Sequence, residues 1–340
     1  MASAIPPLIH DRVLGMFWAH AIAESLGAPY EFGYANSNPE LPMIYDGTIR
    51  YRFYISSRWP MREKPGAILH NPHLLSWPVG TMTDDSAMTI CALTSMIDPN
   101  GGMIPRYDKE RTLQSYIQWA NATPIDMGKN TRELFRHKLK DIRAKYDKVY
   151  YEKFLSPAAA TRPPILSNGA LMRCSPFALF PDLEAFREDC ILTNPYPVAI
   201  ECNLIYGLAL WMAVRGADRQ SIYATVKARA TTPEVLEVFA QIDQGVIRDT
   251  SGPTNGFCCH ALWWALRVLV RQDSFRDYIA GVATLRKTDT DTNSAIAGAM
   301  LGALEGYDKL MSDPVTRNNR DVLIKVNNFD YGLVLSRMGI

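Results

Sequence analysis

Residues 288–293 read TDTDTN and run directly into SAIAGAMLGALEG at residues 294–306. Ser, Thr, Asp and Asn cap the free backbone N–H groups at a helix N-terminus, and the apolar segment after them is typical of a buried helix. One such residue is enough for a cap, so Asp289 and Asp291 concentrate more negative charge than capping requires. We therefore expect a positively charged partner here.

A second acidic helix start occurs roughly two hundred residues earlier, where GTMTDDS at residues 80–86 opens an apolar run over residues 87–97. If both helices begin at the same end of one core, Asp84, Asp85, Asp289 and Asp291 converge. Two bare carboxylates about 4 Å apart repel by about 4 kcal/mol at an effective dielectric of about 20, so protonation or a cation must relieve the repulsion. Neither stretch contains His or Cys, and oxygen ligands favour Mg²⁺, Mn²⁺ or Ca²⁺ over zinc. Spacing alone leaves two readings open, independent helix caps and one shared metal site.

Small residues recur every four positions in the apolar segment, at Ser294, Gly298, Gly302 and Gly306. Such a ridge lets another helix approach closely, which suits a helix at the centre of an all-α fold. Apolar periodicity predicts further helices over residues 11–25, 86–97, 109–121, 131–146, 198–214, 218–230, 233–243, 257–272 and 274–285, and one that begins at Ala170. We predict a compact, single-domain, multi-helix all-α protein spanning residues 1–340. A long irregular insertion is expected at residues 33–79, with a weak strand at residues 48–56.

Composition narrows the classes of protein to be considered. The chain has 340 residues, of which 47% are hydrophobic and 21% charged, enough for a large core. A formal net charge of +1 gives no overall field that would attract nucleic acid or an anionic membrane. The N-terminus lacks the pattern of a signal peptide, and we expect a cytoplasmic monomer with no membrane or nucleic-acid partner. The six cysteines show no C-x-x-C spacing and are expected to be buried free thiols, and Trp263 and Trp264 to belong to the core.

Five motifs resemble those of the ADP-ribosylglycohydrolase family. They are LGAPYEF at residues 26–32, TDD at 83–85, DMG at 126–128 with Thr131 following, SNGALMR at 167–173, and DTDT at 289–292. Each is weak alone, but the five occur in the family's order and at about its separations, from about residue 11 to residue 307.

The resemblance implies a binuclear metal site and a hydrolytic activity. Thr83, Asp84, Asp85, Asp289, Asp291 and Thr292 would hold two divalent cations, Mg²⁺ or else Mn²⁺. The substrate would be an ADP-ribosyl group on a protein side chain or a small molecule, cut at the anomeric carbon of the distal ribose, so that ADP-ribosylation is reversed. Glu31 in the loop after the first helix, or one of the metal-site aspartates Asp85 and Asp289, would act as general acid/base.

The resemblance also implies a substrate-binding loop. An Asn-Gly turn is by itself only a turn, although one that precedes a helix can hold a phosphate or ribose oxygen on free N–H groups. In this motif Ser167, Asn168 and Gly169 are expected to contact the ADP-ribose, together with Asn194, whereas Arg173 is expected to be structural.

Three departures from the family pattern are visible. Asn194 stands where the family commonly has His, Lys287-Thr288 where it usually has two glycines, and Ala23-Glu24 where it has Gly-Asp. Asn cannot become cationic, so any proton transfer at position 194 is in doubt. Two alternatives therefore stay open, a catalytically inactive ADP-ribose-binding protein of the same fold and a structural all-α protein whose acidic stretches are helix caps.

Overall fold

The computed structural model describes residues 7–28, 30, 51–55, 74–122, 124, 126–137, 142–283, 285 and 287–340, and these are mostly helical. In these ranges the helices are α1 (Pro7–Gly27), α2 (Asp84–Ser95), α3 (Lys109–Asn121), α4 (Lys129–Phe135), α5 (Ile142–Tyr150), α6 (Glu184–Cys190), α7 (Pro197–Val214), α8 (Arg219–Lys227), α9 (Pro233–Asp243), α10 (Cys258–Val270), α11 (Phe275–Ala283), α12 (Thr290–Glu305), α13 (Tyr307–Ser312), α14 (Pro314–Asn327) and α15 (Tyr331–Arg337). Two short strands, β1 (Tyr51–Ile55) and β2 (Leu74–Pro78), form an antiparallel ribbon in which Tyr51 lies opposite Pro78. The predicted all-α class is confirmed, with this ribbon added.

Helices α1 and α12 form the centre of the fold and touch backbone to backbone. A Cβ atom on Gly302 would lie 2.2 Å from the backbone oxygen of Gly15, and one on Gly298 would lie 2.6 Å from that of Ala19. Real Cβ atoms do not come so close to another atom, so these positions of α12 accept glycine alone. The predicted ridge of small residues is confirmed as the line along which a second helix packs.

Helices α7 and α10 contribute a large part of the apolar interior. In the described part of the chain, α7 is the one helix long and apolar enough to cross a membrane, and 67% of it is buried inside the protein, as in a core helix. In α10, Trp263 and Trp264 are buried and meet edge to face, with ring centroids 4.7 Å apart. The prediction that both tryptophans belong to the core is confirmed.

Most predicted helices are found within a few residues of their expected bounds, and α3 and α9 have the predicted bounds. The single helix predicted over residues 131–146 is wrong, because the structure has α4 and α5 instead. The side chain of Asn121 explains the end of α4: its Nδ2 donates to the backbone oxygen of Phe135, at 2.8 Å, and its Oδ1 accepts from the N–H of His137, at 3.1 Å. A side chain from α3 thus satisfies the backbone groups that would have continued the helix.

The helix predicted to begin at Ala170 is also wrong. Residues Asn168–Ala170 form a single 3-10 turn, and a second 3-10 segment covers Ser175–Leu179. In an α-helix the carbonyl of Gly169 would accept from the backbone of Arg173, but here it accepts from the Arg173 guanidinium at 2.8 Å. Pro176 has no N–H to donate and lies in the first turn of this second segment, a position at which proline can begin a helix but could not continue one from Ala170.

The C-terminal part of the fold was not anticipated, since the sequence pattern gave no helix prediction after Gly306. Helices α13, α14 and α15 lie there, and two of them have recognisable starts. The Asp313 side chain accepts from the N–H of Thr316 at 3.1 Å, directly before Pro314, and Asp330 accepts from the N–H of Gly332 at 2.8 Å. At the other end, β1 falls within the strand predicted at 48–56, while most of the insertion predicted at 33–79 lies outside the described residues.

Candidate active site

The first turns of α2 and α12 lie side by side. Asp84 is the first residue of α2, and Asp289 directly precedes α12. Between the two helices, Thr292 Oγ1 donates a hydrogen bond to Asp85 Oδ2 at 3.4 Å. The predicted convergence is confirmed for the two helix starts, and the charge of Asp289 acts on both Asp84 and Asp85. Neither Thr83 nor Asp289, the residues at the two N-cap positions, caps its helix through its side chain, which disfavours the reading as independent caps.

Glu24 of α1 holds the start of α2 in place. Its Oε1 accepts hydrogen bonds from the N–H of Thr83 at 2.7 Å, the hydroxyl of Thr83 at 2.5 Å and the N–H of Ser86 at 3.2 Å. Its Oε2 accepts from the hydroxyl of Ser86. Glu24 is fully buried, so one carboxylate of α1 satisfies the free N–H groups at the start of α2 in place of a local cap.

The C-terminal end of α1 also contacts the start of α12. A Cβ atom on Gly27 would lie 2.4 Å from the backbone oxygen of Thr290, and the Thr290 hydroxyl donates to the backbone oxygen of Gly27 at 2.8 Å. Helix α1 therefore touches both acidic helix starts within one turn of its own length.

The environment of Asp84 and Asp85 disfavours their ionised forms. Burial raises the pKa of Asp84 well above its ordinary value, and the carboxylate of Asp126 raises it further, while the N–H of Gly128, 3.1 Å from Asp84 Oδ2, lowers it. Burial also raises the pKa of Asp85, followed by the charges of Asp84 and Glu24. Asp85 Oδ1 is buried without a hydrogen-bond partner among the residues described.

In the described part of the chain, no positively charged side chain forms an ion pair with these aspartates. The ion pairs found there involve none of Asp84, Asp85 and Asp289. His20 lies beside the backbone of Asp85, but burial lowers its pKa to about 4 and keeps the imidazole neutral. The donor set consists of carboxylates and hydroxyls, the ligands of a hard divalent cation, and Asp85 Oδ1 is a buried acceptor without a hydrogen-bond partner among the described residues. The residues therefore fit the expected metal.

The six expected metal ligands are all found at the two helix starts: Thr83, Asp84, Asp85, Asp289, Asp291 and Thr292. Asp291 is 2% exposed, and its Oδ1 accepts from the N–H of Thr292 at 2.9 Å. Glu31, the expected general acid/base, lies outside the described residues, and its role stays a prediction.

The predicted substrate loop contacts the acidic start of α12. Asn168 Nδ2 donates to Asp289 Oδ2 at 2.9 Å, and the N–H of Asn168 donates to the backbone oxygen of Gly256 at 2.9 Å. Ser167 pairs with Phe257 in a short antiparallel bridge. The loop is thus tied both to an acidic helix start and to the segment before α10.

Asn194 lies behind this loop rather than beside the aspartates. It is fully buried, its Nδ2 donates to Ser167 Oγ at 3.1 Å and to the Ile165 backbone oxygen at 3.0 Å, and its Oδ1 accepts from the Thr193 hydroxyl at 2.8 Å. This geometry positions Ser167, while direct contact between Asn194 and a substrate stays a prediction.

Arg173 is structural, as expected. It is fully buried, its Nε donates to Asp189 Oδ2 at 2.8 Å, and a further nitrogen holds the Gly169 carbonyl. Its guanidinium also lies over the ring of Tyr116, 4.9 Å from the centroid. The buried ion pair anchors the substrate loop from inside the core.

Three residues of the site were not among the sequence candidates: Glu24, Asp126 and Gly256. Glu24 could have been found, because it continues the three-and-four spacing of the apolar face of α1, where a carboxylate needs a partner. Asp126 belongs to a motif that resembles the family, but its position next to Asp84 follows from the fold. Nothing near Gly256 in the sequence indicates that its backbone faces Asn168 and Asp289.

Comparison with known proteins settles the family. A family profile described as ADP-ribosylglycohydrolase matches residues 6–328. The chain belongs to the ADP-ribosylglycohydrolase family. The acidic starts of α2 and α12 and the substrate loop all lie within the matched residues.

Two relatives extend this match over most of the ADP-ribosylglycohydrolase chain. One, from Acanthamoeba polyphaga mimivirus and named provisionally as an ADP-ribosyl glycohydrolase, is 27% identical over 329 residues, which cover 87% of this chain and 88% of the relative. The other is the ADP-ribosyl-[dinitrogen reductase] glycohydrolase of Rhodospirillum rubrum, 23% identical over 316 residues, with 90% of each chain covered. Family and relatives together support a hydrolase acting on a glycosidic bond of ADP-ribose.

A solved structure shares the fold. A chain described as an ADP-ribosylglycohydrolase-related protein complex superimposes with a TM-score of 0.57 and 21% sequence identity, covering 93% of this chain and 98% of that chain. At this identity the likeness concerns the fold of the ADP-ribosylglycohydrolase family alone.

Proposed function

We propose that this protein is a metal-dependent ADP-ribosyl-acceptor glycohydrolase, which uses two divalent cations, Mg²⁺ in the first place, to release ADP-ribose from a modified protein side chain or small molecule. The observation that carries the proposal is the pair Asp84 and Asp85, of which Asp84 is half-buried and Asp85 fully buried, and which lie near the charge of Asp289 without a positive partner in the described part of the chain. The charge of such a cluster must be offset by protons or by a cation, and the family to which the chain belongs indicates ADP-ribosylated substrates.

Thr83, Asp84, Asp85, Asp289, Asp291 and Thr292 would hold the cations. When bound, they would supply Lewis-acid chemistry, orienting ribose hydroxyls and lowering the pKa of a water. The chain itself contributes rigidity: Glu24 fixes the start of α2, and Gly27 fixes the start of α12. The ligand oxygens are therefore held in place before any substrate arrives.

Two glycines next to the carboxylates leave the backbone there uncovered by side chains of their own. A Cβ atom on Gly128 would come no closer than 4.0 Å to Asp84 Oδ2, and one on Gly169 no closer than 3.9 Å to the Thr131 hydroxyl. No side chain of these two residues stands between the aspartates and a ligand. We infer that the ribose binds over Gly128 and Gly169, with the rest of the ADP-ribose along residues 167–169.

Cleavage requires a proton for the leaving atom of the acceptor and a base for water. Glu31 remains our first candidate for this group, on the family resemblance, with Asp85 and Asp289 as the other candidates. Burial raises the pKa of Asp85 well above its ordinary value and so favours its protonated form, whereas Asp289 accepts a hydrogen bond from Asn168.

Turnover of a panel of substrates tests the proposal. ADP-ribose linked to arginine, to serine and to acetate would be assayed with saturating Mg²⁺ and with excess EDTA. We expect at least one to be hydrolysed and EDTA to abolish the reaction, because the aspartates then lose their counter-charge. Asp85→Asn should lower turnover by about 10²-fold or more, while Asp147→Asn, at an exposed carboxylate, should have no effect.

Full turnover in excess EDTA would contradict the metal requirement while leaving the family activity standing. Binding of ADP-ribose without turnover of any of the three substrates would instead support the alternative of an inactive ADP-ribose-binding protein. Asn194 and Lys287, which depart from the family pattern, are the residues that favour this alternative.

A further inference from the structure

A second cluster of potential metal ligands lies away from the carboxylate site. Cys202 of α7 and Cys258 and Cys259, the first two residues of α10, are all fully buried, and their three sulphur atoms lie within 4.8 Å of one another. The Sγ atoms of Cys202 and Cys259 are 3.6 Å apart. The sequence shows only that Cys258 and Cys259 are adjacent. It does not indicate that Cys202 lies beside them, because Cys202 belongs to another helix.

The separation of Cys202 and Cys259 is close to that of two thiolates that share one ion, and Cys258 Sγ lies within 4.8 Å of both. Two thiolates bound at about 2.3 Å lie about 3.8 Å apart in tetrahedral geometry and about 4.0 Å apart in trigonal geometry. Ordinary core packing explains buried cysteines one at a time, but it does not require three sulphurs from two helices to meet at one point.

The surroundings favour a thiolate at Cys259 alone: burial raises the pKa of Cys202 well above its ordinary value, and the pKa of Cys258 is raised as well, so a bound cation would displace protons from these two thiols. Cys258 and Cys259 occupy the first turn of α10, where the free N–H groups stabilise negative charge. Hydrogen bonds with Cys202 and then Cys258 lower the pKa of Cys259, and the charge of Arg248 lowers it further. The guanidinium of Arg248 is held by His260 Nδ1, at 2.9 Å, and Gln241 Oε1, at 2.8 Å.

We propose that Cys202, Cys258 and Cys259 form a binding site for one thiophilic divalent cation of the Zn²⁺ class, distinct from the carboxylate site of the proposed function. Soft sulphur ligands select such ions, whereas Mg²⁺ prefers the oxygen ligands of the aspartates. Three thiolates and a divalent cation leave one net negative charge, which Arg248 and the N-terminus of α10 offset.

The position of the cluster gives the bound ion a structural role. The segment that leads into α10 lies beside the substrate loop. The N–H of Cys258 donates to the Leu166 backbone oxygen at 2.8 Å, and Phe257 pairs with Ser167. An ion held by Cys202 and the two cysteines of α10 ties α7 to this segment. It thereby fixes the loop that carries Asn168.

Titration of the purified protein with Cd²⁺, as a spectroscopic substitute for Zn²⁺, tests the proposal. Saturating Mg²⁺ is kept present to fill the oxygen site, and each addition is followed until the absorbance is constant. We expect a thiolate-to-cadmium charge-transfer band that saturates at one equivalent, with release of protons from the thiols. Absence of the band in the wild-type protein overturns the proposal.

Variants locate the site. Cys202→Ser should weaken Cd²⁺ binding by more than the roughly 10- to 100-fold that loss of an outer-shell partner costs. Cys174→Ser, at a buried cysteine outside the cluster, should leave binding unchanged. An unchanged titration of the Cys202→Ser protein contradicts the proposal.

X-ray absorption at the cadmium edge identifies the ligand atoms of the bound ion in the wild-type protein. This test therefore does not depend on the folding of a variant. Three sulphur neighbours are expected around the ion in the wild-type protein, and a shell of oxygens or of fewer than three sulphurs overturns the site. Neither measurement uses catalytic turnover, so the result is independent of the proposed glycohydrolase activity.

Discussion

Lys287 adopts a backbone conformation that suits glycine. Its φ is 61°, and in the described residues only Asn328, at 50°, is another non-glycine residue with positive φ. A side chain in this region costs about 1–2 kcal/mol, except for Asn and Asp, which tolerate it. The backbone conformation at position 287 thus suits the glycine that is usual in the family. This chain has the same conformation there with Lys in place of glycine.

We predict that Lys287→Gly raises the free energy of unfolding by about 0.5–1 kcal/mol, since the relief of strain exceeds the added flexibility of the unfolded chain. Chemical denaturation measures the change, and Asn328→Gly serves as control with a smaller expected gain. The Lys287 side chain is exposed, so the Mg²⁺ titration of turnover should not shift. Tighter Mg²⁺ binding in the variant would show that the ammonium competes with a cation.

Glu24 is the residue on which the start of α2 depends. We predict that Glu24→Ala lowers the free energy of unfolding by about 2–4 kcal/mol, because the N–H groups and hydroxyls of Thr83 and Ser86 lose a buried acceptor and a cavity opens. Glu237→Ala, at an exposed position of α9, is the control and should change stability by less than about 0.5 kcal/mol. Equal stability of the two variants would mean that the start of α2 is held by other contacts.

At the scale of elements, the packing of α1 against α12 is the most demanding contact of the fold. We predict that Gly302→Ala destabilises the protein by about 3 kcal/mol or more, because its Cβ would overlap the Gly15 backbone oxygen, which cannot move without shifting α1. Gly281→Ala is the matched control, since this glycine of α11 has no atom within 4 Å of an added Cβ. It should stabilise by about 0.5–1 kcal/mol through helix propensity. A small effect of both substitutions in thermal unfolding would contradict the close contact.

Local patterns predict helices well where a helix is bounded by its own residues. Helix α3 has an N-cap in Asp108, whose side chain accepts from the N–H of Arg111, and its bounds were predicted correctly. The break between α4 and α5 could not be predicted, because it depends on the side chain of Asn121, which belongs to another helix. The Arg173 guanidinium ended the helix expected at Ala170 in the same way, by taking a carbonyl that a helix would use.

The same distinction applies to the candidate site. The aspartates at the starts of α2 and α12 were identified as candidates because excess charge next to an apolar segment is visible in the sequence. What holds them together is tertiary: Glu24 reaches Thr83 across 59 positions of sequence, and Asn168 reaches Asp289 across 121. Contacts of this kind depend on the fold and have no local pattern.

For the whole molecule, pH and Mg²⁺ should act on stability through the same carboxylates. Burial raises the pKa of Asp84 and Asp85 above the ordinary value of about 3.9. Between that value and the raised pKa values, the cation-free folded protein binds more protons than the unfolded chain does. These two groups therefore stabilise the cation-free fold at low pH, and their contribution is lost as pH rises above about 4.

A bound cation replaces those protons, so Mg²⁺ should stabilise the fold more as the pH rises. We predict that the increase in melting temperature produced by saturating Mg²⁺, relative to EDTA, is small near pH 5 and grows toward pH 8. Each displaced proton should tighten the apparent Mg²⁺ affinity by about tenfold per pH unit, equivalent to about 1.4 kcal/mol. Calorimetric scans at several pH values measure this, with Asp147→Asn as a control that keeps the full slope and Asp85→Asn as a variant that reduces it. A Mg²⁺ effect of constant size across this range would mean that Asp84 and Asp85 are already ionised without the metal, and that their charge is balanced by a group other than a proton.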